Sequence, residues 1–170
     1  MNVDTWGALN AALTNIVAEA LKEVGEKVAA QMKLRINKDV YSANSPTKYE
    51  RTNQLMDSVT TSDVETNQGE SEVKISHDTD KIHYNPSKFQ HGSPPTMKRW
   101  GKTIDIKGSG DISEWIPEII AFNKSGNLFG SGWWQNRDNY YLNTLEDLKS
   151  QGLLSKWFRV ALRKRGIDMV

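Results

Sequence analysis

The chain of 170 residues predicts an α+β domain, on three observations. Apolar residues recur at steps of three and four from Val3 to Met32, the spacing of one long amphipathic helix. Two short runs rich in Val, Thr and Ile follow at 58–65 and 71–76 and read as a β-hairpin. From Asp138 a helical spacing of apolar residues returns and continues to Gly166. The predicted architecture is a long N-terminal helix and C-terminal helices packed on a small antiparallel β-sheet, with a loop-rich insertion. By length this is one domain, 1–170, large enough for a real core. It divides into a long helix (1–38), a loop, short helix and hairpin (39–93), a Trp-containing insertion (94–135) and C-terminal helices (136–170).

The first helix carries Trp6, Leu9, Leu13, Ile16, Val17, Ala20, Leu21, Val24, Val28 and Met32 on its apolar stripe. Asp4 or Thr5 supplies an N-cap, because a short side-chain oxygen accepts from the first free amides. Gly25 is its weak point, costing about 1 kcal/mol against Ala in a helix interior. At 1.5 Å per residue a helix over 3–36 is about 50 Å long. That is longer than one small domain needs and suits packing along a partner.

Residues 37–48 read as loop, since Pro46 drives Ser45 out of helical space. A short helix is expected from about Lys48 to Ser58, with Leu55 and Met56 directed inward. Asn67-Gln68-Gly69 supplies turn chemistry for the hairpin. A third extended piece is expected through Lys81-Ile82-His83-Tyr84. Gly, Pro and Ser then break the chain repeatedly from 85 to 112, with a short strand at Thr103–Lys107. A helix over 113–122 has Ser113 as its cap, with Pro117 awkwardly inside it. After a Gly-rich run come Trp133 and Trp134. In the C-terminal part Tyr141, Leu142, Leu145 and Leu148 are helix-spaced, Gly152 interrupts, and Leu153 to Leu162 continue the pattern.

Composition narrows the function classes. Hydrophobic residues make up 37% and charged ones 25%, with a formal net charge of +1. That argues against a basic surface running over the whole chain. With no cysteine, disulfides, thiolate zinc sites and cysteine nucleophiles are excluded. No apolar run approaches the roughly 18 residues of a membrane span. The N-terminus shows no secretory pattern, so the expectation is a protein made in a cytoplasm, with no membrane partner.

Candidate chemistry is sparse. His77, Asp78, Asp80, His83 and His91 could ligate a metal, but the helical His-Glu-x-x-His spacing is absent. In a continuing strand His77 and Asp78 point to opposite faces, and the alternative is polar turn residues. There is no Gly-x-Ser-x-Gly elbow and no phosphate-binding loop, so the reading is non-enzymatic, with no catalytic residue, no metal and no cofactor. Lys156, Arg159, Arg163, Lys164 and Arg165 run without an acid between them. Lys156, Arg159 and Arg163 are helix-spaced and could face phosphates, or simply complement the end of a helix. Six Trp are many for this length. Trp100, Trp115, Trp133 and Trp134 serve either a local core or a partner surface, where Trp anchors desolvated contacts.

The joint between helix and strands carries a resemblance. Tyr41…Pro46…Tyr49-x-Arg51-Thr52-x-x-Leu55-x-x-Ser58, after a long helix, resembles the HK97 gp10-like tail-completion proteins of tailed bacteriophages. Asn53 stands where that family pattern has Gly, and Tyr84 and Gly92 stand for its later Tyr…Gly element. The resemblance covers about 10–92 and loosely 138–165, and leaves 94–135 without a counterpart. It implies a virion protein at the neck, assembled in the host bacterial cytoplasm as a ring between connector and tail. Its partners are then other copies of itself, portal or adaptor proteins, and tail or tail-terminator proteins, with genomic DNA passing through the channel. The interface residues it suggests are Tyr49, Arg51, Thr52 and Leu55, with Trp115, Trp133 and Trp134 from the loops. Two rivals are a metal-dependent nuclease or hydrolase using His77, Asp78 and His83, and a DNA-binding module using the C-terminal basic helix.

Overall fold

The computed structural model describes residues 5–42, 52–67, 69–83, 96–99, 102–105, 114, 116–122 and 138–168. The fold is α+β, with long N-terminal and paired C-terminal helices and small antiparallel strand pairs. The chain divides into two compact units: 1–31 with 60–76 and 145–170, and 32–59 with 77–144.

Helix α1 spans Trp6–Arg35 without interruption. Thr5 caps it: its hydroxyl accepts from the Ala8 amide at 3.2 Å and satisfies one of the free N–H groups of the first turn. Beyond Arg35 the backbone widens into a π turn over Ile36–Tyr41, closed by the Ser42 amide donating to the Asn37 carbonyl at 2.8 Å. The wider turn places Ile36, Asp39 and Val40 inward.

In the first unit, Ala20 of α1 packs with Ala161 and Leu162 of α5 (Leu153–Arg163), joined by Ile16, Val17, Phe158 and Ile167. Small residues at Ala20 and Ala161 let the two backbones approach closely. The C-terminus of α5 is a Schellman motif. Gly166, at φ +82°, donates to the Arg163 carbonyl at 3.0 Å, and the Ile167 amide donates to Leu162 at 3.1 Å. The accompanying apolar contact of Ile167 with Leu162 belongs to the same core.

The hairpin is present but is built in two pieces. Strand β2 (Glu65–Asn67) pairs antiparallel with β3 (Glu70–Glu72), around a turn in which Gly69 holds φ +86°. Strand β1 (Val59–Thr61) pairs with β4 (Ile75–His77). The Ser62 amide donates to the Lys74 carbonyl at 2.8 Å, whereas further out Glu65 faces Glu72. Asp63 and Val64 therefore oppose Val73 alone, which is a β-bulge. Gly25 of α1 lies under this bend. A Cβ there would sit 2.9 Å from Thr61 Cγ2 and 3.0 Å from Val73 Cγ2. The glycine that weakens the isolated helix is what allows the hairpin to approach it.

The second unit buries Met32, Ile36, Val40, Leu55, Val59, Ile82, Ile116, Ala121 and Tyr140. Its helix α2 is a single turn, Gln54–Asp57, preceded by the left-handed Asn53; the expected helix start at Lys48 lies outside the described residues. Of the extended piece expected over 81–84, Lys81 instead ends a 3-10 turn (Thr79–Lys81), Ile82 is extended and buried, and Tyr84 lies outside the described residues. Within 94–135 the described residues include two strands and a helix. Strands β5 (Thr96–Arg99) and β6 (Lys102–Asp105) form an antiparallel hairpin. Helix α3 begins at Ile116 and runs to Phe122. Pro117 thus falls at its second position, where a missing N–H costs no intrahelical bond. Helix α4 spans Tyr140–Ser150 and is capped by Asn139, whose Oδ1 accepts from the Tyr141 and Leu142 amides at 3.1 and 3.0 Å. Gly152, at φ +58°, ends it and starts α5.

Candidate functional surfaces

His77, the most distinctive of the predicted metal candidates, is engaged otherwise. It closes strand β4, where burial turns its ring inward toward two hydroxyls. Nδ1 lies 2.7 Å from Ser58 Oγ and Nε2 lies 3.0 Å from the Tyr140 hydroxyl. Ser58 Oγ also donates to the Leu55 carbonyl at 2.8 Å, and the Tyr140 hydroxyl reaches the Pro117 carbonyl at 3.2 Å. A continuous chain therefore runs from one backbone carbonyl through Ser58, His77 and Tyr140 to another. Burial pushes the His77 pKa down to about 4, against a weaker upward pull from the Leu55 carbonyl. Burial likewise raises the Tyr140 hydroxyl well above its ordinary range. Both groups are thus neutral at ordinary pH.

Among the described residues, the other members of that set form no metal-binding group with His77. The Asp78 carboxylate pairs with Lys81 at 3.1 Å. His83 is exposed, and its backbone amide donates to Gln54 Oε1 at 3.0 Å. His91 lies outside the described residues. Among the described residues no group of three His, Asp or Glu could hold a metal ion. Ser58 is fully buried beside His77, which suits a structural link rather than a nucleophile meeting substrate.

The last two cations of the basic end pair with acids from α1. Lys164 Nζ lies 2.7 Å from Glu23 Oε1, and Arg165 contacts both Glu19 and Glu23 at 3.2 Å. Hydrogen bonds from Lys164 first, then Lys27 and Arg165, hold the Glu23 carboxyl at about 2. Arg163 turns back onto Asp168 at 2.9 Å. Of the three cations predicted to face phosphates, Lys156 and Arg159 stand exposed on α5 while Arg163 is paired.

Of the interface residues suggested by the resemblance, Leu55 is buried within its own unit and Thr52 is exposed. Tyr49, Arg51, Trp115, Trp133 and Trp134 lie outside the described residues, as do Tyr84 and Gly92. Asn53 is informative. It holds φ +57°, and it is the non-glycine residue with a left-handed backbone among the described residues. A turn that needs this conformation favours Gly and tolerates Asn.

Large apolar side chains remain uncovered on the helices. Trp6 is 84% exposed, Leu34 63% and Leu142 51%, and Leu13, Tyr141, Leu145, Leu154 and Val160 are also exposed. On α4 the helical spacing of apolar residues points to Tyr141, Leu142, Leu145 and Leu148. Only Leu148 of these is buried, and Tyr140, Thr144 and Asp147 take the inward positions. The inward polar groups are matched individually. Asn143 Nδ2 donates to Asp39 Oδ2 at 2.9 Å, and Gln31 Nε2 donates to Asp147 Oδ2 at 2.7 Å. No signal within α4 alone identifies Tyr140, because its partners His77 and Pro117 lie far away in sequence. Among the described residues no helix is long and apolar enough to cross a membrane.

The family model YomN matches residues 5–164, so nearly the whole of this architecture is covered. The chain belongs to the YomN family, a phage-related family. No curated protein and no solved structure matches it.

Proposed function

We propose, with membership of this phage-related family as the premise, that the chain is a structural virion protein of a tailed phage. In this reading it is a tail-completion or neck protein. Its copies form a ring at the head–tail interface and join the connector to the tail. The role is assembly rather than catalysis. Its partners are other copies of the chain, portal or adaptor proteins on one side and tail or tail-terminator proteins on the other, with DNA passing through the channel.

The observation that carries the reading is the apolar surface left uncovered on the helices, above all Trp6 and Leu34. Burying one such side chain is worth roughly 1.5–3 kcal/mol, so covering several of them in neighbouring subunits is a substantial drive to assemble. A second support is local. The Thr52–Ser58 segment places Asn53 in the left-handed conformation at the position where the tail-completion pattern has Gly. Of the positions that match the pattern, Leu55 and Ser58 are buried and Thr52 is exposed.

The test is the mass of the purified protein by light scattering, alone and with candidate connector rings. Stoichiometric binding to a ring supports the neck reading. A protein that stays a monomer at every concentration and ignores connector and tail rings alike overturns it.

A further inference from the structure

Charged residues make up 25% of the chain, yet none falls between Thr5 and Ala18. These residues are the N-terminal turns of α1. Trp6, Leu9, Asn10 and Leu13 lie at i, i+3, i+4 and i+7, hence on one face. Together with Gly7 they line an open groove. The face is largely bare, with Trp6 84% and Leu13 41% exposed. It continues the stripe that, from Ile16 through Val17 to Ala20, packs against α5 within the same unit. The stripe therefore runs on past the element that covers it.

We infer that this end of α1 is a self-association surface, in which the Trp6–Leu9–Leu13 face of one copy packs against the same face of a second copy. Charge decides the occupant. A face packed on itself brings each residue near its own counterpart, so any charge would meet a like charge. Here there is none to repel. The exposed apolar residues of α5 fail that test, because Leu154 and Val160 stand among the exposed cations Lys156 and Arg159. Asn10 adds a positive argument. Its amide carries both donor and acceptor and so can pair with a second Asn10, as polar residues within apolar helix seams do to fix register. Gly7 and Ala12, which flank the face on its two sides, are small and leave room for the large side chains of a second copy.

The inference rests on the self-assembly part of the proposed function, not on the neck location, and a face packed on its own counterpart pairs two copies, a contact separate from the head-to-tail one that closes a ring. Because the chain has no cysteine, a single introduced one reports contact cleanly. Asn10→Cys lies near the middle of the face, so it meets its counterpart whether the two helices run parallel or antiparallel. Asn15→Cys, exposed and off that face, is the control. Under mild oxidation Asn10→Cys should form disulfide-linked dimer about tenfold faster than Asn15→Cys, reflecting a raised local concentration. The pair Trp6→Ala with Leu13→Ala should weaken association by about a hundredfold or more. Its helical circular dichroism should stay as in the unsubstituted chain, and so should its melting at dilutions where both are monomers, since both side chains are exposed in the single chain. If the unsubstituted protein multimerises while Asn10→Cys cross-links no faster than the control and the double variant keeps its mass, the inference is wrong and the assembly reading stands. If the unsubstituted protein stays a monomer and neither cysteine cross-links, the inference is wrong, and the assembly reading falls with it if the chain also ignores connector and tail rings.

Discussion

Acidification should destabilise this protein through His77 before most carboxylates begin to titrate. The chain from the Leu55 carbonyl through Ser58, His77 and Tyr140 to the Pro117 carbonyl has four contacts to fill. A neutral imidazole leaves three protons for those four contacts, and an imidazolium supplies the fourth. Counting hydrogen bonds therefore favours the cation by one bond, about 1 kcal/mol. Burying an ion costs several kcal/mol after relaxation, so desolvation wins, in agreement with a folded pKa of about 4 against the ordinary 6.5. Below pH 6.5 the unfolded chain takes up a proton that the folded chain refuses until about pH 4, so stability falls as pH drops through that window and flattens below it. Between pH 7.5 and pH 5 the loss from this residue is about 2 kcal/mol. The assay is urea unfolding at both pH values for the unsubstituted chain and His77→Gln, which keeps a polar side chain but does not titrate. The unsubstituted chain should lose about 2 kcal/mol more than the variant on acidification. Equal losses, or a His77 ring whose NMR titration midpoint lies near 6.5 or above, would refute the argument that desolvation outweighs the completed hydrogen-bond chain.

Other substitutions test separate parts of the fold. Gly25→Ala should gain about 1 kcal/mol of helix propensity but force a methyl to within 2.9 Å of Thr61 and 3.0 Å of Val73. Both are stiff β-branched residues, so the net result should be a loss of about 1–2 kcal/mol in urea unfolding. A rise in the midpoint would show that the hairpin yields freely. Tyr140→Phe removes the donor to the Pro117 carbonyl and the partner of His77 Nε2, and should cost about 1–3 kcal/mol. A variant as stable as the parent would mean that solvent reaches these groups. The Glu23 carboxyl, held at about 2 chiefly by Lys164, should titrate higher in Lys164→Met by NMR, and an unmoved midpoint would leave Lys27 and Arg165 as its effective partners. If α5 carries duplex DNA binding, it rests on the exposed Lys156 and Arg159. Changing both to Glu should then lower affinity and cut the salt dependence by about two ion equivalents. An unchanged salt slope would remove α5 from any contact with DNA.

The elements that depend on local spacing were legible in the sequence. The α1 stripe, the hairpin with its Gly69 turn, the break at Gly152 and the stop at Gly166 all occur where the residues predict them. Each rests on a period or a backbone preference within a few residues, which is information the sequence carries directly. Pro117 shows the edge of that legibility. The residue is a sound signal, but moving the helix start to Ile116 changes it from a disruption to a good first-turn residue.

What remained was decided by partners far away in the chain. Spacing shows that α4 has faces but not which face meets the rest of the fold. The structure turns Tyr140, Thr144 and Asp147 inward, where Pro117, Gln31 and other distant residues complete their hydrogen bonds. The C-terminal basic run has no acid within it, yet Glu19 and Glu23 neutralise its last two members from α1. His77 reads as a ligand beside other polar residues until Ser58 and Tyr140 occupy both ring nitrogens. Periodicity fixes local conformation because it acts within a turn or a strand. The burial of a polar group depends on whether a partner arrives within about 3 Å, and only the tertiary fold brings that partner there.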